Sequence, residues 1–151
     1  MAILLLACST KQDLSKHYTN YEPLKKFKGD TAAFITSILA NKNHYIGKPL
    51  NTLLLDLSIP VKRFTTAGSH KDITISTDIT IKFYNSTEID RKFAKKQDPF
   101  SLIVVWEKPL DAKKTDSIAL KSLYRWTPEV EAYFNRQIVG DIVKSGYNGL
   151  K

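Results

Sequence analysis

A single cysteine, Cys8, leaves this chain without an internal disulfide, so burial and hydrogen bonding alone must hold its fold. Its six glycines form neither a Gly-x-x-x-x-Gly-Lys loop nor a Gly-x-Gly-x-x-Gly turn. The backbone cradles that commonly hold nucleotide phosphates are therefore missing. No serine occupies a Gly-x-Ser-x-Gly elbow, which removes one route to a nucleophilic serine. The histidines, His17, His44 and His70, stand far apart, with no second histidine at i+2 or i+4. They read as solvated loop residues rather than metal ligands. No apolar run approaches the ~20 residues that a membrane-spanning helix needs. These absences leave no catalytic or metal motif, and no cofactor is expected.

What is present is the composition of a folded domain. The 151 residues are 42% hydrophobic and 25% charged. A chain of this length buries roughly 68–70% of its unfolded surface, enough for one core without covalent staples. Net charge is +8. It breaks down as +5 over residues 1–70, +1 over 71–98 and +2 over 99–151. A nucleic-acid binder gathers its cations into a stripe or face, so this spread argues against nucleic acid as the partner.

The N-terminus is the most informative stretch. Residues Ala2 to Ala7 are apolar without interruption and end on Cys8, and Ser9-Thr10-Lys11-Gln12-Asp13 follows at once. Leu5-Leu6-Ala7-Cys8 resembles the lipobox that closes a bacterial lipoprotein signal. No Lys or Arg precedes the apolar run, so the resemblance is to a truncated signal. It implies that Cys8 carries the lipid, that residues 1–7 are residual signal, and that the protein is anchored in the cell envelope. Residues 8–20 then form the anchor and a polar tether, and residues 21–151 a single globular domain. As a flexible coil, the dozen tether residues reach roughly 20 Å. Without the resemblance, Ala2–Ala7 reads as an edge strand or a segment packed on the core.

Local patterns predict the elements. Asp30 suits a helix N-cap, and Phe34, Ile35, Ile38 and Leu39 make an apolar stripe that ends near Asn41. Pro49 suits a first helical position, followed by Leu50, Leu53, Leu54 and Leu57 on one face. Residues 61–66 read as a strand. From Asp72 to Tyr84 the odd positions are Ile73, Ile75, Thr77, Ile79, Ile81 and Phe83, a period of two. We read it as one continuous, bent strand with the odd positions buried. A three-residue loop at 76–78 would also preserve the alternation. Residues 100–106, a near-continuous apolar run, read as a central strand covered on both faces. Residues 108–117 read as a polar loop and 118–126 as a strand. Thr127-Pro128-Glu129 opens a last helix, with Val130, Phe134, Ile138 and Ile142 along it and Gly146 closing it. The expected fold is α+β: a mainly antiparallel sheet of three to four strands with about three helices on one face.

Candidate chemistry is sparse. Arg91-Lys92-Phe93-Ala94-Lys95-Lys96 places four cations in a predicted loop, so Arg91, Lys92, Lys95 and Lys96 are the residues expected at an anionic surface. Lys25-Lys26-Phe27-Lys28 has a similar character. Carboxylates pair by spacing at Glu88/Asp90, Glu107/Asp111 and Glu129/Glu131, and Glu107 stands out because it directly follows the apolar strand. Tyr124, Trp126 and Tyr133 gather near the last helix and suit core packing or an aromatic binding surface. The function expected is that of a lipid-anchored, non-enzymatic envelope domain. It meets the membrane through lipidated Cys8 and binds a protein or polymer partner. The alternative is a cytoplasmic nucleic-acid or anionic-ligand binder in which Ala2–Ala7 is merely structural.

The alternation sets a test. Ile79→Asp should cost several kcal/mol, because it buries an unpaired charge, whereas Thr80→Asp on the wet face should cost little. Equal thermal melting temperatures for the two variants would overturn the strand register.

Overall fold

The computed structural model describes residue 27 and residues 29–146. Cys8, the segment 1–7 and the tether 8–20 lie outside the described residues, as do Lys25, Lys26 and Lys28.

The first two helices form where the sequence predicts them. Helix α1 (Thr31–Ala40) starts at Asp30, whose carboxylate accepts from the Ala33 N–H at 3.0 Å, and it buries Phe34, Ile35 and Ile38. A 3₁₀ turn (Lys42–His44) leads to α2 (Leu50–Asp56), capped by Pro49 and burying Leu50 and Leu53. Strands β1 (Arg63–Gly68), β2 (Ile75–Lys82), β3 (Ser101–Asp111) and β4 (Val139–Ser145) make one antiparallel sheet in the order β1-β2-β3-β4. Helix α3 (Ser86–Ala94) joins β2 to β3, while α4 (Ala112–Lys121) and α5 (Pro128–Phe134) lie between β3 and β4. The protein is an α+β fold.

One face of the sheet carries the core. Phe64, Ile79, Ile81, Leu102, Val104, Trp106, Val139 and Ile142 meet Phe34, Ile35, Ile38, Leu50, Leu53, Ala119, Val130 and Phe134 from the helices. Four of the five helices supply buried side chains, and α3 supplies none. The opposite face presents Thr65, Thr80, Ile103, Val105 and Val143, all partly exposed.

Several expectations are corrected. The alternation of residues 72–84 is a single strand, but it starts at Ile75, and Ile73 is 86% exposed in the preceding turn. A bulge between Ser76 and Asp78 changes the phase, so Ser76 is buried before it and Ile79, Ile81 and Phe83 after it. An extra residue in one strand swaps faces in this way. The run from Phe100 to Trp106 is covered on one face only, because its alternate residues Ser101, Ile103 and Val105 stay partly exposed. Residues 108–117 are not a loop: β3 continues to Asp111, whose carboxylate accepts from the Lys114 N–H at 2.7 Å and starts α4. Residues 118–126 are not a strand but the end of α4 and a turn in which Leu123 and Tyr124 adopt φ values of 52° and 59°. The basic segment 91–96 is largely helical. Asn85 and Glu88 satisfy each other's backbone N–H in a capping box that opens α3. The last helix ends at Phe134, and Ile138 and Ile142 belong to the chain that pairs with β3.

Both sheet edges are covered in part. Along β1, the Phe64 N–H donates to Tyr124 O at 3.1 Å and the Trp126 N–H to Lys62 O at 3.1 Å. Along β4, the Gly47 N–H donates to Val139 O and the Val139 N–H to Lys48 O. Farther on, the Asp141 carboxylate accepts from the Ile142 N–H at 2.8 Å and from Lys42 Nζ at 2.7 Å. Such devices keep a strand edge from recruiting another chain.

Gly140 sits where the β3–β4 register shifts. A Cβ there would lie 2.9 Å from three backbone atoms, Trp106 C and O and Glu107 N. Gly140→Ala should lower stability by about 1–3 kcal/mol, since backbone cannot step aside cheaply. Gly68→Ala places its Cβ an ordinary 3.6 Å from Ile75 O. It should shift stability by less than about 1 kcal/mol. Urea midpoints of the two variants check the contrast.

Candidate functional site

The basic residues singled out in the sequence do not converge. Arg91 and Lys92 occupy the last turn of α3, where cations offset the partial negative charge of the helix end. Lys92 Nζ lies 4.4 Å from the centre of the Tyr84 ring, so it packs against the protein. Lys95 caps the helix, and Lys96 follows with φ 54°. Arg91, Lys95 and Lys96 are exposed.

The other candidates also take structural places. His44 and His70 are exposed, and His17 lies outside the described residues. Glu107 is exposed at the end of the apolar part of β3. Glu131 accepts from Trp126 Nε1 at 3.0 Å. Backbone and Thr127 hydrogen bonds hold the Glu129 carboxyl below its usual range. Trp126 and Tyr133 both pack their rings on Phe134. Among the described residues, no group of three His, Cys, Asp or Glu side chains is placed to hold a metal ion. No described helix is long and apolar enough to cross a membrane.

The structure builds a different basic cluster. Arg63 of β1 lies directly opposite Lys82 of β2, and on its other side it bridges to Arg125. Three cations therefore stand in a row on adjacent segments. Arg63 Nη1 donates to the Ser86 hydroxyl at 3.1 Å. Lys62 is paired with Glu88, whose carboxyl is held below its usual range by that bond and by the Asn85 N–H. Burial pulls the Lys82 ammonium below its usual range, and the Arg63 charge adds to the shift. The ion pairs among the described residues are Lys42–Asp141, Lys62–Glu88 and Lys144–Asp98, so Arg63, Lys82 and Arg125 share in none. Lys62, Arg63 and Arg125 line a cleft of about 450 Å³ with Asn85, Ser86, Thr87 and Leu123. Sequence spacing gives no hint of it, because strand register and the turn after α4 bring these residues together.

Asp56, at the end of α2, is 3% exposed. Its Oδ2 accepts from the Tyr45 hydroxyl at 2.9 Å, while Oδ1 is buried with no partner. Burial raises its carboxyl above the usual range, against the opposing effects of the Tyr45 bond and the His44 and Lys48 charges. The Tyr45–Asp56 bond ties the chain just after the 3₁₀ turn to α2.

Comparison with family models, with curated proteins and with solved structures finds no match.

The Asp56 shift fixes a pH dependence. Between the ordinary carboxylate range and the raised folded value, the native state holds a proton that the unfolded chain releases. Stability therefore falls as pH rises through that window. Asp56→Asn removes the titration, so the stability difference in its favour should grow from acid to neutral pH. Urea unfolding at several pH values measures it, and a difference flat with pH would show that Asp56 titrates as an ordinary carboxylate.

Proposed function

We propose that this protein is a lipid-anchored, non-enzymatic domain of a bacterial cell envelope, held at the membrane through Cys8, that binds a protein or polymer partner. The observation that carries this reading is Leu5-Leu6-Ala7-Cys8, ending on the sole cysteine and followed at once by polar sequence. The net charge of +8 supports it. Basic residues near an anionic leaflet contribute about 1 kcal/mol each, which would hold an already tethered domain close to the headgroups.

The binding half of the reading draws support from the sheet's second face. Ile103, Val105 and Val143 stand there beside Thr65 and Thr80, and Val143 is 39% exposed. Arg63 and Lys82 mark the end of that face next to the basic cleft, where an anionic group of the partner would sit.

The anchor is tested by expressing the reading frame behind a complete signal and fractionating wild type against Cys8→Ala. Wild type should pellet with membranes, and the variant should move to the soluble fraction. Equal soluble amounts of both would overturn the anchor.

A further inference from the structure

We propose that the cleft between β1, the start of α3 and the turn after α4 binds a phosphate group, either free or carried on a lipid headgroup. Like charges directly opposite each other in a sheet destabilise it. Here Lys82, Arg63 and Arg125 face one another across three adjacent segments, with no carboxylate paired to any of them among the described residues. The nearby carboxylate of Glu88 is taken by Lys62 and by the Asn85 N–H. A bound anion would turn this repulsion into attraction, and the cleft has room for one.

The donors suit phosphate. Two guanidinium groups offer forked N–H pairs that match the tetrahedral oxygens of a phosphate. The Ser86 hydroxyl accepts from Arg63 Nη1, which aims that guanidinium and leaves the hydroxyl proton free to donate. Ser86 and Thr87 form the first turn of α3, where backbone N–H groups have no carbonyl four residues back in the helix. Leu123, 67% exposed, gives the cleft an apolar lip that a phosphate ester can lie against. The helix start alone would not make a site. The uncompensated row of cations beside a cleft of about 450 Å³ carries the assignment.

This inference deepens the binding half of the reading above and does not rest on the anchor. It is tested in the full chain carrying Cys8→Ser, with inorganic phosphate titrated at constant ionic strength against chloride and the melting temperature as readout. Wild type should show a saturable rise that chloride does not give. Arg63→Gln and Arg125→Gln should each weaken phosphate affinity by about tenfold, as expected for loss of a charge-assisted hydrogen bond. Lys95→Gln with Lys96→Gln should leave it unchanged. A second readout needs no ligand: at low salt and without phosphate, Arg125→Gln should melt above wild type, because it relieves repulsion.

A parallel arm uses vesicles of phosphatidic acid in phosphatidylcholine, with pure phosphatidylcholine as the control. Retention on phosphatidic acid that depends on Arg63 and Arg125, without a response to free phosphate, would place the source at a headgroup and support the cleft. The proposal is overturned by no response in either arm, or by equal loss in the Lys95/Lys96 variant. A Cys8→Ala protein that leaves the membrane, with the phosphate response of the Cys8→Ser chain intact, would support the anchor and the cleft separately.

Discussion

The ring of Phe134 ties the structure together. It stacks on Trp106 of β3 at 5.9 Å with an interplanar angle of 5°, and it meets Phe64 of β1 edge-on at 5.6 Å. Trp126 stacks on it at 6.4 Å with an interplanar angle of 21°, and Tyr133 meets it edge-on at 4.9 Å. Such aromatic pairs add about 0.5–1.5 kcal/mol each beyond their burial. A seven-residue helix is too short to be stable alone, so α5 exists because it delivers this ring. Through Trp126, the same cluster holds residues 124–126 against the edge of β1. Arg125 lies between two of the residues that make those edge hydrogen bonds. The position of its backbone beside Arg63 follows from aromatic packing rather than from any attraction between the two cations.

The two faces of the sheet divide the labour. One is sealed by four helices and holds the apolar core. The other keeps β-branched residues among hydroxyls and charges, a mixture that an antiparallel sheet can expose to water. Covering the edges is what allows such a face to stay open. Backbone groups that would otherwise invite another strand are occupied by residues 47–48, by residues 124–126 and by the Asp141 carboxylate.

The sequence made some of this legible for physical reasons. Helix α1 announces itself by the Asp30 cap and its stripe, α2 by its leucines, and α5 by Thr127 and Pro128. The alternation at Ile79, Ile81 and Phe83 identifies the buried side of β2. Helix α4 escaped because its buried residues are Ala112, Thr115 and Ala119, small side chains that leave no strong apolar period. Helix α3 escaped because none of its residues is buried, so its capping box was the only signal. Ile138 and Ile142 misled because their spacing of four matches a helix turn, whereas the chain is extended there and the register shift at Gly140 puts Val139 and Ile142 on the buried face. Ile103 and Val105 misled because apolar residues on an open sheet face look like those of a covered strand. The basic cleft was invisible because its cations are far apart along the chain and meet only through strand pairing and a bridge.

The order of the strands has a kinetic consequence. Each strand pairs only with strands next to it in the chain. The sheet can therefore grow by closing one connection at a time, and chains rich in such near-neighbour pairings cross their folding barrier faster than those that must first join distant segments. The bridges between Arg63 and Arg125 and between Pro49 and Ile138 are exceptions, since each closes a long stretch of chain. The meeting of the cations therefore carries a larger loop-closure cost than any pairing between neighbouring strands of the sheet.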